Sequence, residues 1–507
     1  MLTSTTLSEE AILHEAFIQL QNRLTKNYQN VFLNINAEKT VVIIPSLTLD
    51  KEILRAVKGI IHYEERMLCM LMQLSMPKTN VIYVTSTSID NTIVDYYLHL
   101  LPGITGYHAR QRLTLFSCYD TSAKSLTEKI LSRPRLIKRI KDQIKYPENA
   151  HMACFNVTKH EQKLAQLLDI PIYGCNPNLL PLGTKTGCRL TYKKANVLIP
   201  HGYENLQTEE DIINAIILLK KEKQIVRKAI IKMNDGFSGE GNAVFNYDFL
   251  INEVLEVEVV KRVMHEQLKV VAPKVSIEQF LNKFYSMGGI VEEFIEGSEK
   301  YSPSVQCRIN PVGGIDIIST HDQLLGGESE QVFIGAHFPA SKEYSVEIAT
   351  LAYKIAELMQ ADGVLGRFSI DFLSVKENNN WKHYTIETNL RKGGTTHPFM
   401  MLQYLTGGEY HWQNSTYITP SGQIRYYFAS DNVINEKYKG LTPHDLIDIA
   451  MCNKLLFDVS TQCGVMFHMI GALSQYGKVG VVCIAKSKDE AIAYFNRTIQ
   501  VLDAETA

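Results

Sequence analysis

Two neighbouring segments in the second half of the chain constrain its fold most. They are residues 368–372 (FSIDF) and 384–391 (YTIETNLR), and in both apolar and polar residues alternate. Alternation of period two predicts β-strands with one polar face, and the polar stretch 377–380 (ENNN) between them is typical of a hairpin turn. We therefore expect a hairpin that brings Asp371 close to Glu387 and Asn389, since the last two lie two residues apart and project from the same face.

A hairpin of this kind would present three oxygen-bearing side chains on one sheet face. Such a set suits a hard cation, so we predict that Asp371, Glu387 and Asn389 bind Mg²⁺, or Mn²⁺ in its place, together with the phosphates of ATP. The alternative is an ordinary half-exposed hairpin whose polar residues face water. The E-x-N pattern alone is common by chance.

A glycine-rich segment, residues 227–242 (RKAIIKMNDGFSGEGN), follows a predicted strand. Glycines allow a loop to fold closely over phosphates and to turn backbone N–H groups toward them. Lys232, near the end of the strand, can place a point charge on phosphate oxygens. The candidate loop residues are Ser238, Gly239 and Gly241. The alternative for this segment is a glycine-rich turn in an ordinary hairpin, with Lys232 exposed to solvent.

Residues 290–299 (IVEEFIEGSE) predict a buried strand that leads into an acidic bend. Backbone groups in such a segment can bind the edge of an adenine, and a later carboxylate can accept hydrogen bonds from ribose hydroxyls. The candidates are Glu292, Glu293, Phe294, Ile295 and Glu299. An amphipathic strand with a solvated acidic turn is the alternative.

Residues 391–398 (RKGGTTHP) place cations and a glycine pair directly after the predicted metal ligands. Arg391 and the backbone N–H groups of Gly393 and Gly394 could stabilise a tetrahedral or phosphoryl oxyanion. His397 is either catalytic or a structural histidine. His321, in residues 319–324 (STHDQL), either orients a substrate on the acceptor side or belongs to a polar β-turn.

The order of strand and helix signals predicts three domains. Five-residue apolar strands at 41–45, 81–85 and 112–116 alternate with helices, which indicates a parallel α/β layer. A turn-rich segment, 173–178, marks a boundary, and helices near the end of the chain flank an apolar strand at 480–485. The predicted domains are 1–178, 179–405 and 406–507, the last a small α+β cap.

Composition excludes several classes of protein. The 507 residues carry 52 basic and 54 acidic side chains, a net charge of −2, so neither nucleic-acid nor membrane binding is indicated. The nine cysteines are scattered and form no CxxC pair, which argues for reduced thiols in a cytoplasmic protein and against a zinc site. The N-terminal residues lack an apolar core and do not predict a signal peptide.

Taken in order, these elements resemble the ATP-grasp superfamily, and within it the pheganomycin-type peptide ligases, which carry a pre-ATP-grasp domain in front and a small C-terminal domain behind. The most specific match is residues 388–398 (TNLRKGGTTHP), and residues 464–469 (GVMFHM) and 477–480 (GKVG) also resemble that family. The implied fold class is α/β and α+β multidomain, with an N-terminal parallel α/β domain, an ATP-grasp fold of antiparallel sheets and a C-terminal α+β domain.

The resemblance also implies roles for single residues. Asp371, Glu387 and Asn389 match the metal ligands, and Arg391 matches an arginine that follows them. The residues that match ATP contacts are Lys185, Lys232, Glu292, Glu293, Phe294, Ile295 and Glu299. Some ligases have an arginine two residues before the metal aspartate, where this chain has Ser369, so that role is not transferred.

The implied reaction is the ATP-dependent joining of a carboxylate to an amine. The carboxylate attacks the γ-phosphate of ATP to give an acyl phosphate and ADP, and an amine then displaces phosphate. Small-molecule or peptide substrates, natural product biosynthesis and a homodimer are expected by analogy. The alternatives are an ATP-grasp enzyme with a non-amine acceptor and a nucleotide-binding protein that has lost catalysis.

Overall fold

The computed structural model describes residues 9–48, 54, 57–236, 241–251, 253–272, 275–326 and 332–506. The α-helices are Glu9–Asn27, Asn91–His99, Gly106–Arg110, Leu126–Leu131, Pro134–Asp142, Lys159–Leu168, Lys185–Lys194, Glu209–Glu222, Val257–Gln267, Ile277–Met287, Ser345–Ala361, Thr396–Thr406, Pro443–Cys452, Leu473–Tyr476 and Lys488–Glu505. A long 3₁₀ helix runs over Ile60–Ser75. Within the described ranges, none of the helices combines the length and the apolar character that crossing a membrane requires.

The strands of the described residues form three main sheets and one two-stranded ribbon. They are β1 Lys39–Ile44, β2 Thr79–Thr85, β3 Leu113–Ser117, β4 Ala150–Cys154, β5 Gly202–Leu206, β6 Lys228–Met233, β7 Asn242–Asn246, β8 Lys269–Val270, β9 Gly289–Glu293, β10 Lys300–Ile309, β11 Ile315–Gly326, β12 Val332–Phe338, β13 Gly366–Glu377, β14 Asn380–Asn389, β15 Glu409–His411, β16 Thr416–Ile418, β17 Tyr426–Ile434, β18 Gly464–His468 and β19 Lys478–Ala485.

The first sheet is parallel, in the order β3-β2-β1-β4. Three of its strands are the apolar runs predicted from the sequence, and β4 adds a fourth strand that the prediction missed. The residues of β1, β2 and β4 are buried throughout, as is expected of parallel strands covered on both faces. The predicted N-terminal α/β layer is confirmed.

The second sheet is antiparallel, in the order β5-β9-β6-β7-β8. It is built from the glycine-rich segment and the acidic segment, because β6 carries the first and β9 carries the second. Its apolar face packs against the helix Glu209–Glu222 and the helices that follow β7. The pairing of β6 with β9 therefore brings two segments that are 60 residues apart in sequence into one surface.

The third sheet is antiparallel and has eight strands, in the order β14-β13-β10-β11-β12-β17-β19-β18. The predicted hairpin is β13–β14, in which Asp371 pairs with Glu387 and Ser369 pairs with Asn389. The C-terminal strands β17, β18 and β19 extend this sheet. The predicted fold class, with antiparallel sheets and helices after an α/β layer, is confirmed.

A shared core joins the N-terminal layer to the C-terminal strands. It contains residues of the 3₁₀ helix Ile60–Ser75, of the helix Thr396–Thr406 and of β17 to β19. Hydrogen bonds cross the same junction: the backbone N–H of Phe467 donates to the Tyr96 hydroxyl at 3.0 Å, and the Tyr97 hydroxyl donates to the Phe467 carbonyl at 3.3 Å. The first and last parts of the chain thus support one wall of the cavity described next.

Candidate active site

A cavity of about 550 Å³ opens where the second and third sheets meet the N-terminal layer. Its wall contains most of the residues singled out in the sequence. They are Lys185, Lys232, Gly241, Glu292, Glu293, Phe294, Ile295, Asp371, Glu387, Asn389, Arg391, Gly393 and Gly394. Segments more than 200 residues apart in the chain therefore contribute to one site.

The acidic hairpin forms one side of the cavity. Asn389 donates from Nδ2 to Asp371 Oδ2 at 3.0 Å, and Gln323 donates from Nε2 to Asp371 Oδ1 at 2.9 Å. Burial, and next the charge of Glu387, raise the pKa of Asp371 to about 6. The carboxylates of Asp371 and Glu387 thus lie close together in a half-buried part of the cavity wall.

Lys185 neutralises one of these carboxylates. It is the first residue of the helix Lys185–Lys194, which Thr184 caps by accepting a hydrogen bond from the Gly187 N–H at 3.0 Å. Its ammonium forms an ion pair with Glu387. Burial by itself would raise the pKa of Glu387, but the Lys185 ion pair outweighs it and lowers that pKa.

The donor set fits a hard divalent cation. Asp371, Glu387 and Asn389 offer two carboxylates and one amide oxygen from adjoining strands, which is the chemistry that Mg²⁺ prefers. A cation bound there would also remove the repulsion from Glu387, which is the second cause, after burial, of the raised pKa of Asp371. With the ion bound, the Asn389 side chain would present its oxygen, since the two ends of an amide are assigned from hydrogen bonding.

Lys232 lies on the opposite side, held by a buried carboxylate. Glu292 is 3% exposed and forms ion pairs with Lys232 at 2.5 Å and with Arg189 at 2.8 Å. The lysine at the strand end is therefore buried and oriented, not solvated. Glu292 acts on this lysine, which is a different contact from the adenine contact that the sequence predicted.

The rest of the acidic segment divides into two parts. Glu293 accepts hydrogen bonds from the His201 backbone N–H at 2.8 Å and from Lys223, so both oxygens of its carboxylate are hydrogen-bonded within the protein. Phe294 and Ile295 line the cavity. Glu299 does not lie on the cavity wall; it forms an ion pair with Lys376 at 3.5 Å, so the predicted ribose contact has no support in the structure.

The glycine-rich loop is described only at its two ends. Ser238 and Gly239 lie outside the described residues. Gly241 accepts a hydrogen bond from the Met233 N–H at 2.9 Å and lines the cavity, next to Gly236. The loop thus starts and finishes at the rim of the site.

Arg391 and the glycine pair also lie on the wall, with one difference from the prediction. The Gly393 N–H donates to the Thr396 hydroxyl at 3.0 Å, so this N–H already has a hydrogen-bond acceptor within the protein. A Cβ on Gly394 would come within 3.0 Å of the Phe333 ring. Close packing against this ring therefore explains why a glycine occupies the position. Burial lowers the pKa of Arg391, although Glu387 and Asp371 oppose the shift.

The two histidines predicted to contact substrate do not lie on this cavity wall. His321 is completely buried, its Nε2 is 2.6 Å from the Tyr427 hydroxyl, and burial lowers its pKa to about 3. Gln323, two residues further along β11, is the residue that donates to Asp371. His397 is also buried and contacts His468 and Asp431.

The charged residues of the cavity that were not predicted include Arg66, Asp431 and Lys478. Arg66 forms an ion pair with Asp431 and lies over the Tyr63 ring at 3.9 Å, and Lys478 donates to the Tyr63 hydroxyl at 3.1 Å. Each one interrupts or borders an apolar segment, and charged residues are rarely buried unless they are paired. That interruption is the signal by which the sequence could have revealed them.

Comparisons with known proteins extend these observations. The family described as "IQCH-like, ATP-grasp" matches residues 252–413, and the family described as "PGM1 C-terminal domain" matches residues 445–498. The L-propargylglycine–L-glutamate ligase of Streptantibioticus cattleyicolor is 25% identical over 482 residues, which cover 91% of this chain and 94% of that protein.

Two further proteins are similar over most of this chain. The IQ motif-containing protein H of Danio rerio is 20% identical over 541 residues; the match covers 97% of this chain, which spans only half of that protein. A biotin carboxylase–β,γ-ATP complex from Campylobacter jejuni has a TM-score of 0.54 and 12% identity, over 93% of this chain and 95% of that one. This last likeness shows a shared fold.

Proposed function

We propose that the chain is an ATP-grasp enzyme, an ATP-dependent ligase that joins a carboxylate to an amine. The carboxylate attacks the γ-phosphorus of ATP, the bond to the β,γ-bridging oxygen breaks, and ADP leaves. The amine then attacks the acyl carbon of the acyl phosphate and loses a proton, and orthophosphate leaves.

One observation carries this proposal. Asp371, Glu387 and Asn389 line the same cavity as two buried lysines, Lys185 and Lys232. Acidic oxygens for a cation and ammonium groups for phosphate oxygens are the two requirements of phosphoryl transfer, which depends on positioning and charge stabilisation. An ordinary solvated hairpin would not share a cavity with two buried lysines.

The roles of the residues follow from their positions. Asp371, Glu387 and Asn389 would hold Mg²⁺, which when bound neutralises phosphate charge. Lys185 and Lys232 bind phosphate oxygens, while Phe294 and Ile295 flank the adenine. Arg391 stabilises charge on the transferred group, and the site has to exclude water, which would hydrolyse an acyl phosphate.

Amino acids are the substrate class that we propose for the other end of the cavity. The similarity to a ligase named for L-propargylglycine and L-glutamate supports this choice. Arg66, from the predicted N-terminal domain 1–178, and Lys478, from the predicted C-terminal domain 406–507, place two cations around the Tyr63 ring on the cavity wall. Such cations suit the carboxylate of an amino acid.

The test is substrate-dependent turnover and its loss in one variant. The protein is incubated with ATP, Mg²⁺ and pairwise mixtures of the twenty L-amino acids, and ADP, phosphate and peptide products are measured. Glu387→Gln should lose at least about 100-fold in rate, as expected when a group that stabilises transferred charge is removed. Formation of AMP and pyrophosphate would refute the proposed chemistry.

The matched control is Glu377→Gln on the same hairpin. Glu377 is exposed and forms an ion pair with Lys382 at 2.6 Å, away from the cavity. The two variants share a substitution and a hairpin and differ only in whether the carboxylate faces the site. Equal rates for both variants would contradict the role of Glu387.

A further inference from the structure

Three side chains from distant parts of the sequence converge beside the active-site cavity. His397 lies in the first turn of the helix Thr396–Thr406, Asp431 lies in β17, and His468 ends β18. The two Nε2 atoms are 2.8 Å apart, and Asp431 Oδ1 is 3.3 Å from that of His397 and 3.1 Å from that of His468. All three side chains are less than 10% exposed.

Hydrogen bonds alone do not satisfy this triangle. Each imidazole nitrogen carries at most one hydrogen, and that hydrogen points at one neighbour. If both Nε2 atoms are protonated, two N–H groups 2.8 Å apart face each other or lie side by side. If only one is protonated, the lone pair of the other faces a carboxylate oxygen with no hydrogen between them. In either state one edge of the triangle is repulsive.

A metal ion removes that repulsion. Ions with nitrogen and oxygen ligands at about 2.0–2.2 Å hold adjacent ligand atoms about 3.0–3.5 Å apart. The three measured edges, 2.8, 3.1 and 3.3 Å, are close to the spacing of three ligands on one face of such a coordination shell. The arrangement therefore has the dimensions of a site for an ion.

The surroundings hold these ligands in place. A Cβ on Gly480 would lie 1.8 Å from the His468 ring, so the glycine provides the space that the imidazole fills. Arg66 forms an ion pair with Oδ2 of Asp431, which fixes the carboxylate and leaves Oδ1 to face the histidines. Partners of this kind behind a metal ligand orient it.

The triangle borders the active-site cavity through Asp431. Asp431 and its neighbour Asn432 line the active-site cavity. Three protein ligands with an open side are typical of metal sites that also bind water or a substrate atom. An ion held there would face the space in which the substrates are expected.

We propose that His397, Asp431 and His468 bind one divalent transition-metal ion of the zinc type, at a site separate from the predicted Mg²⁺ site. Two imidazoles and one carboxylate favour such ions over Mg²⁺, which prefers oxygen ligands. The scattered cysteines had argued against zinc, and none of them takes part. If the proposed ligase function holds, the open positions accept a nitrogen or oxygen atom of the amino-acid substrate.

Metal content tests the proposal without any measurement of activity. Untagged protein is stripped with a chelator, incubated with Zn²⁺, desalted and analysed for metal by mass spectrometry. The wild type should retain about one ion per chain, as expected of one set of three protein ligands. Loading with Co²⁺ should give a visible spectrum typical of nitrogen and oxygen ligands. Wild-type protein that retains no ion and gives no spectrum overturns the proposal.

Variants locate the ion. His468→Gln and His397→Gln should each reduce retained Zn²⁺ by at least about tenfold, in line with the loss of one ligand. The control is His321→Gln, which changes a buried histidine bonded to Tyr427 and should retain the ion. Glu387→Gln should also retain it, so failure of the ligase proposal and failure of this one are distinguishable. Equal retention in all four variants would place the ion elsewhere and refute the assignment.

Discussion

Replacement of Glu292 by glutamine tests whether the lysine at the end of β6 is held by a buried charge network. Glu292 is 3% exposed, and it is the shared partner of Lys232 at 2.5 Å and Arg189 at 2.8 Å. Glutamine keeps the shape and one acceptor oxygen but removes the negative charge. Two cations then remain buried without that counter-charge.

The structure sets the expected magnitude. Removal of one member of a buried ion pair costs about 3–5 kcal/mol, because the remaining charge is left desolvated and uncompensated. Arg189 keeps one other carboxylate, Glu204 at 3.1 Å, which moderates its share of the loss. We therefore expect the free energy of unfolding of the five-stranded sheet to fall by about 3 kcal/mol, at the lower end of that range.

The change in the free energy of unfolding is measured by urea titration, with amide hydrogen exchange in β6 and β9 as the local readout. The control is Glu296→Gln, three residues beyond β9. Glu296 is exposed and pairs with Lys228 at 3.3 Å, so its loss should cost less than about 1 kcal/mol. The double variant Glu292→Gln with Lys232→Met should recover part of the loss. A cost for Glu292→Gln no greater than that for Glu296→Gln would refute the buried network.

Two further perturbations follow from the structure. The pKa of Asp371 is raised to about 6 in the folded state. Between pH 4 and 6 the folded state therefore binds more protons than the unfolded state. The contribution of Asp371 to stability falls as the pH rises through that window. In Mg²⁺-free buffer, Asp371→Asn should thus gain stability relative to wild type from pH 4 to pH 7 in urea titrations, and a constant difference would contradict this. Gly480→Ala should lower stability by about 1–3 kcal/mol through overpacking, because its Cβ would overlap the His468 ring. Gly440→Ala, where a Cβ meets nothing within 4 Å, is the control, and equal melting temperatures would show that the ring moves freely.

Local patterns predicted the strands and the fold of this chain well. The alternating segments 368–372 and 384–391 pair as expected, and their register places Asp371 opposite Glu387. The family resemblance stated from residues 388–398 is confirmed by the match of residues 252–413 to an ATP-grasp family. Period-two alternation and turn chemistry act between residues that are close in sequence, so one chain is enough to predict them.

Long-range contacts explain what the sequence did not predict. His321 is buried beside Tyr427, a residue more than 100 positions later. The carboxylate of Glu292 contacts Lys232 and Arg189, and the pairing of β9 with β6 brings it to Lys232. No spacing rule connects such residues, since their proximity depends on how the sheets assemble.

The distribution of buried charges connects the fold to the proposed chemistry. Lys185 with Glu387, Lys232 with Glu292, and Arg66 with Asp431 are cation–carboxylate pairs on the wall of one cavity. Buried pairs add little net stability compared with apolar residues of similar volume, so stability does not account for three of them in one place. A polyphosphate or a substrate carboxylate offers each cation a second anionic partner. Before that anion binds, the paired carboxylates orient these cations and offset the energetic cost of burying them. A site preorganised in this way needs less reorganisation during the reaction.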